Sequence, residues 1–483
     1  MILNYISYAF LVLLILIGSC FNITNYPRFW YDEGVFSQVA SNLARYGHYA
    51  TTIISGQKFS DFNSGITTGP TVILPAAMSY KLFGISIMSG RAVSAAYLIL
   101  FLCVFYFFSK RVFGENVALL SFASIFFTGF ILIVIKWGRF LMGEGPAISF
   151  LFLGLFFHAK AENDDSEYDY LLSGLFYGLS ILTKEYVALF LLPALALYLI
   201  FKKNILKDAR KIILPLLAGI LAPELIFYSF KLHFLGWPAF IGNILERKAF
   251  SEELFSPSLI PLVSLFKYYQ TVVIAVCFMS YRFIKRTNTE RFIKLLELIV
   301  LFNLFFFLVS GYIARYALFL VLSNTLVVYY VFDLGFIENA RDLGRKVRIV
   351  FISLAVLAVI MTLVFLCRSG ADRSENNDDL ISMSGYLETE VPGNRLIETP
   401  EHEVAAISQK NTFHIPPGIM PTKDENKIRQ YKKYDFLKIN APFLLEGDFA
   451  RGLYYLVYPA EKVDKYYRKV KTIGRYTLFK RIW

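Results

Sequence analysis

Eleven apolar runs, parted by short charged segments, restrict what this 483-residue chain can become more than any other feature. They occupy residues 8–21, 92–108, 117–135, 146–157, 171–182, 187–201, 212–230, 262–283, 295–310, 317–336 and 350–366. A membrane-crossing helix needs about 20 apolar residues. The first run reaches that length once residues 2–6 are added, whereas 146–157 and 171–182 are short unless flanking residues join them. With 56% hydrophobic and only 18% charged residues, a soluble globular fold is excluded. The expected fold class is a polytopic α-helical membrane protein of about 11 spans, its first span uncleaved.

The net charge of +12 does not point to nucleic acid, because the cations cluster between apolar runs, where they report topology. A further apolar piece, 72–83, holds roughly a dozen residues and is read as an interfacial helix. With that piece not spanning, Lys110-Arg111, the 202–211 cluster, the 282–294 cluster and the 341–348 cluster share one side. The positive-inside rule makes that side cytoplasmic, with the N-terminus. The loop 22–91 and the segments 136–145, 183–186 and 311–315 then share the outer side. The expected location is the plasma (inner) membrane, multi-pass, with residues 368–483 outside.

After residue 367 the chain turns polar, so 1–367 is read as the transmembrane catalytic domain and 368–483 as an extracytoplasmic α/β domain. Within the latter, 454–458 and 476–479 read as strands and 460–471 as an amphipathic helix. Cys20, Cys103, Cys277 and Cys367 fall in or beside apolar runs, at no spacing that suggests a metal or a disulfide framework.

Just beyond the first span lies Trp30-Tyr31-Asp32-Glu33-Gly34. Val35, Val39, Leu43 and Phe36, Ala40, Ala44 recur at helical spacing, and Gly47 is a stop signal. Asp32 and Glu33 thus fall in a helix's first turn, where carboxylates suit the dipole; a capping role and a catalytic one both fit. The other outer ionisable residues are Arg139, Glu144, Lys184, Glu185 and Arg315. Singly, Lys184 and Arg315 are what snorkelling anchors look like. Together, carboxylates and cations on one face suit group transfer from a phosphate. A carboxylate takes the proton of an incoming hydroxyl, and Arg and Lys stabilise charge on the departing phosphate. No phosphate-binding Gly-Lys-Ser/Thr loop, dinucleotide fingerprint or zinc helix is present. A metal held by His48 with Glu33, or by His233 with Glu224, is a further possibility that these dispersed histidines leave open.

Several blocks in order resemble the GT-C membrane glycosyltransferases of the dolichyl-phosphate-mannose protein mannosyltransferase and aminoarabinose-lipid A transferase type. They are Tyr31-Asp32-Glu33 with its helix to Gly47; Pro75…Lys81-Leu82-Phe83-Gly84 and Arg91; Lys110-Arg111-Val112-Phe113-Gly114; Arg139…Glu144-Gly145-Pro146; Gly178…Thr183-Lys184; and Arg315-Tyr316-Ala317-Leu318. The resemblance spans residues 1–335 and implies transfer of a sugar from a polyprenyl-phosphate donor to an acceptor on the outer face. The acceptor would be a glycan, lipid or protein, with membrane lipid as the surrounding partner and no nucleic acid. It implies Asp32 as base, with Glu33 and Glu144 as further catalytic carboxylates. Arg139, Lys184 and Arg315 would bind the lipid phosphate. No cofactor is implied with certainty; a divalent metal is possible. Two departures stand out: Thr67-Thr68-Gly69-Pro70 where relatives carry charged residues before Pro-Pro, and Glu185 where Gly is usual. The alternative reading, a transporter or flippase for a lipid-linked glycan, would need ionisable residues within the spans, and Glu224 and Lys231 are the main ones.

Overall fold

A computed structural model gives the architecture. It describes residues 2–51, 61–62, 66–128, 130–201, 205–252, 260–285, 291–310, 314–333, 340–371, 376–393, 395–408, 410, 412–413, 441–451, 458 and 460–482.

The chain begins with α1 (Ile2–Cys20), α2 (Tyr31–Tyr46), α3 (Pro70–Phe83), α4 (Ile87–Phe113), α5 (Glu115–Phe127) and α6 (Phe130–Arg139). It continues with α7 (Glu144–Asp164), α8 (Glu167–Thr183), α9 (Val187–Ile200), α10 (Ile205–Leu235), α11 (Trp237–Glu252), α12 (Ile260–Tyr268) and α13 (Gln270–Lys285). Next come α14 (Arg291–Val309), a 3-10 segment Ala314–Val321, α15 (Leu322–Asp333) and the long α16 (Ala340–Ala371). Among the described residues, six helices are long and apolar enough to cross a membrane, or eight if each of two bent pairs is one span. The chain is therefore a multi-pass membrane protein. The remaining apolar runs of the eleven lie in α5, α8 and α9, of 13, 17 and 14 residues. The run 117–135 is not one helix: α5 ends at Thr128, whose backbone is extended, and α6 then meets α7 at a bend of 110°.

Aromatic residues build the core of the bundle. Phe101, Phe105 and Phe108 of α4 each set a ring within 5.5 Å of that of Phe152 on α7. Helices α8 and α10 approach more closely, because a β-carbon on Gly174 or Gly178 would stand 2.2 or 2.4 Å from the carbonyl oxygen of Leu216 or Ile220. Small residues permit such contact where lipid removes the hydrophobic drive between helices. The outward side of α10 exposes Leu214, Leu217, Leu221 and Leu225 at helical spacing, the face that lipid would cover.

The C-terminal part adds α17 (Asp378–Glu390), β1 (Ile397–Glu398), α18 (His402–Ile407), β2 (Thr412–Phe413), β3 (Phe443–Glu446), α19 (Asp448–Arg451), α20 (Ala460–Tyr466), β4 (Tyr467–Ile473) and β5 (Tyr476–Arg481). The strands form one mixed sheet in the order β2-β1-β3-β5-β4, parallel on β1 and antiparallel around β5. The strand expected at 476–479 is β5. The one expected at 454–458 lies outside the described residues but for Tyr458, which is in no strand. The helix expected over 460–471 stops at Tyr466, because residues 467–473 pair with β5 through a turn at Gly474 (φ 52°). Cross-strand pairing overrides the local helical pattern there.

Candidate active site

The acidic motif opens α2, as expected, with Asp32 and Glu33 in its first turn, and Gly47 (φ 74°) closes it. Consecutive helical residues point about 100° apart. The two carboxylates therefore meet different surroundings.

Glu33 turns inward and is fully buried. Arg91 donates to it from Nε (2.9 Å) and Nη2 (2.7 Å), and the Leu141 amide adds a third bond of 3.1 Å. Arg91, equally buried, spends its Nη1 on the Ile23 carbonyl at 2.8 Å. Its position follows from a reciprocal cap at the start of α4, where the Ser86 and Ser89 side chains each accept from the other's amide at 3.1 Å. This pair locks α2 to α4 and to the α6–α7 turn. His48, the expected metal partner of Glu33, instead sets its Nδ1 3.2 Å from Asp61.

Asp32 points the other way, and its side chain keeps 31% of its surface exposed. Arg315, at the start of the 3-10 segment, donates from Nη1 to Asp32 Oδ2 at 2.5 Å. The same guanidinium sets its Nε 3.3 Å from Glu144 Oε1, and Lys184 Nζ lies 3.4 Å from that same oxygen. Asp32, Arg315, Glu144 and Lys184 thus form one alternating chain of charge drawn from four separate segments. Glu144 begins α7, where the helix dipole favours its negative charge, and is fully buried. Lys184 follows the last residue of α8 in extended backbone and lies over the Phe36 ring at 5.2 Å. Burial pulls its pKa down from the usual 10.5, and Glu144 opposes that pull.

Arg139, expected beside the lipid phosphate, stands apart from the Asp32–Arg315–Glu144–Lys184 chain. Its guanidinium is buried against the end of α1, donating to the carbonyls of Gly18 (2.9 Å), Ile17 (3.0 Å) and Tyr26 (3.4 Å). A cation at a helix C-terminus satisfies carbonyls that lack intrahelical partners. Arg139 therefore holds the first span to the bend between α6 and α7. Sequence reasoning also gave Arg91 no role, although a lone arginine near the start of an otherwise apolar helix requires a partner.

Beside the cluster runs an apolar groove of about 1000 Å³ among α3, α4, α8 and α10, walled by Leu74, Pro75, Leu175, Leu179, Ile226 and Phe230 among others. Leu182, two residues before Lys184, belongs to its wall. Threonines stitch one rim: Thr71 and Thr183 bond through their hydroxyls at 2.6 Å, and the Gly69 amide donates to the Thr183 carbonyl at 3.1 Å. So Thr67-Thr68-Gly69-Pro70 sits at the groove's rim, with Thr67 and Thr68 lining a small polar recess shared with Glu185, Glu224 and Lys231. Lys231 is itself tied to Asn243 on α11 at 2.5 Å, and Asn243 reaches the Phe62 carbonyl at 2.6 Å. That chain of bonds braces α10 against α11 and the segment at Phe62.

Among the described residues, no three His, Cys, Asp or Glu side chains come close enough to hold a metal ion. Asp32 and Glu144 both face Arg315 instead, so this donor set does not fit a divalent ion.

Residues 68–227 match the family model described as dolichyl-phosphate-mannose-protein mannosyltransferase. No curated protein matches the chain. In fold, the chain is similar to ArnT from Cupriavidus metallidurans bound to undecaprenyl phosphate, at 12% identity, TM-score 0.68, over 98% of each chain. The apo ArnT structure gives 13% identity and a TM-score of 0.67, over 98% of this chain and 97% of that one. The oligosaccharyltransferase AglB from Archaeoglobus fulgidus, in complex with an inhibitory peptide and a dolichol-phosphate, is similar at 14% identity and TM-score 0.56. That match covers 99% of this chain and 74% of AglB.

Proposed function

We propose, from the premise that this is a membrane protein with the GT-C fold and a relative of the GT-C glycosyltransferases, that it moves a sugar from a polyprenyl-phosphate donor to an acceptor hydroxyl. The observation that carries this reading is the Asp32–Arg315–Glu144–Lys184 chain beside a long apolar groove. Asp32 takes the proton of the acceptor hydroxyl as its oxygen attacks the anomeric carbon. The bond from that carbon to the phosphate oxygen breaks, and the lipid phosphate leaves with the electron pair. One displacement of this kind inverts the anomeric centre. Arg315 and Lys184 neutralise the leaving phosphate, which is where preorganised cations act most strongly. Glu144 holds those two cations together. Glu33 keeps α2 in place and takes no proton. The apolar tail lies in the groove. A polyprenyl phosphate as the leaving lipid is supported by ArnT bound to undecaprenyl phosphate and AglB in complex with a dolichol-phosphate. In this reading residues 1–367 are the catalytic transmembrane domain and 368–483 an extracytoplasmic one. The N-terminus is cytoplasmic, the reaction face is outside, and the membrane is the plasma (inner) membrane.

The test uses the purified full-length protein and its Asp32→Asn variant in detergent, each given a panel of polyprenyl-phosphate sugars. Release of polyprenyl phosphate by wild type, lost in a folded Asp32→Asn, supports donor class and base together. Equal release by both removes Asp32 from the mechanism, and no release with any donor sinks the reading.

A further inference from the structure

Resting on that reading, we infer that the C-terminal region is the positioning element for Asp32, acting through Gly34 and Asn377. The backbone on both sides of Asp32 is held by residues more than 340 positions away. Before it, the Asn377 side chain accepts from the Phe29 amide at 2.6 Å. The same side chain donates to the carbonyls of Thr24 (2.7 Å) and Pro27 (3.3 Å). Arg28 pairs with Asp448 at 2.5 Å. After it, a β-carbon on Gly34 would stand 2.6 Å from the Glu403 amide nitrogen and 2.8 Å from the His402 carbonyl carbon. These are main-chain atoms, which cannot swing aside. The His402 ring meets the Tyr31 ring edge-on at 4.7 Å.

Helix α18, the partner in this contact, is itself anchored in the sheet region. Glu401 accepts from the amides of Gly447 and Ala450, both at 2.8 Å, and Tyr476 donates to Glu403 at 3.2 Å. The motif is therefore gripped from two directions: Glu33 by the membrane helix α4, and Gly34 with Phe29 by the C-terminal region. Asp32, between them, alone projects to Arg315. A carboxylate fixed this way keeps its oxygen in line with the acceptor, and small misplacements of such a group cost much rate. On this inference Gly34 and Asn377 act only through Asp32.

The experiment measures kcat and donor KM separately for full-length wild type, Gly34→Ala and Asn377→Ala, with binding of polyprenyl phosphate alone as the affinity probe. The expected result for Gly34→Ala is a fall in kcat of about tenfold to a hundredfold, with donor KM and polyprenyl phosphate affinity within about twofold. Hydrogen exchange of the amides from Phe29 to Phe36 should accelerate in Asn377→Ala. An unchanged kcat in a folded Gly34→Ala overturns the inference. So does parallel loss of kcat, donor affinity and melting temperature, because that is a purely structural defect. If Gly34→Ala does not fold, Asn377→Ala decides on the same criteria. Absence of turnover in wild type counts against the glycosyltransferase reading; the exchange measurement then still decides whether the C-terminal region holds the motif.

Discussion

Two carboxylates that are neighbours in the chain have opposite circumstances. Glu33 and Arg91 are sealed, each with no exposed side-chain surface, in a fork of two short bonds. Asp32 and Arg315 are partly open, 31% and 17% exposed, and Arg315 is shared with Glu144. A sealed pair cannot exchange partners without burying a lone charge, so it works as a fixed joint. A half-open pair whose cation is shared with another carboxylate can release Asp32 to an incoming hydroxyl and still keep Arg315 neutralised. Geometry on one helix turn thus separates a sealed acid from a half-open one, and the half-open one is the proposed base.

The comparison breaks if both acids respond alike to substitution. The largest expected effect is on turnover: Asp32→Asn should lower transfer by about 10²–10⁴-fold, the range for loss of a general base. Its melting temperature should stay close to that of wild type, which a parallel thermal melt in detergent checks. The opposite pattern is expected for the sealed pair. Arg91→Ala leaves Glu33 buried without its cation and should cost about 3–5 kcal/mol of stability. The double variant Glu33→Gln/Arg91→Met should recover most of that loss, since neither residue then carries a buried charge. If Arg91→Ala melts like wild type, the joint is not structural.

A smaller effect sharpens the contrast among the cations. Lys184→Ala should weaken polyprenyl phosphate binding by about 1.5–3 kcal/mol, roughly tenfold to a hundredfold. Arg139→Ala should leave that affinity within about twofold while lowering the melting temperature, because its bonds go to the carbonyls of α1. Titration of both variants with the lipid phosphate, alongside a melt, separates the two roles.

Much of this was legible from the chain alone, for a physical reason. Apolar runs must become helices in lipid, since unsatisfied backbone is too costly there, so the helical membrane class followed directly. The extent of α2 was legible because apolar spacing and Gly47 agree. Asp32, Glu144, Lys184 and Arg315 could be singled out because carboxylates and cations gathered in the same set of loops suit group transfer from a phosphate, though each alone looks like an anchor or a cap. What could not be read was pairing. Whether a buried arginine meets a carboxylate, as Arg91 does, or a helix end, as Arg139 does, depends on contacts across 58 and 121 residues. The same holds for Gly34: nothing local says that its missing side chain makes room for residues 402 and 403. The strand β4 was hidden for a related reason, its partner β5 lying across a turn that a helical pattern disguises.

The smallest effect concerns pH, and here binding and stability should move in opposite directions. Burial disfavours the charged form of Lys184, so it loses its proton below 10.5. Between that lowered value and 10.5 the unfolded chain binds more protons than the folded one. The contribution of Lys184 to stability is therefore complete above 10.5, falls away as pH drops through the lowered value, and so rises with pH across the window. Affinity for polyprenyl phosphate should fall over the same window, because the neutral amine no longer attracts the anion. Occupancy by the phosphate would itself favour the charged form, so binding there should take up a proton, which calorimetry in buffers of different ionisation enthalpy detects. Lys184→Met should flatten this alkaline component of both profiles. If affinity and melting temperature instead fall together in wild type, the alkaline change is loss of fold, and Lys184 is a packing residue like Arg139.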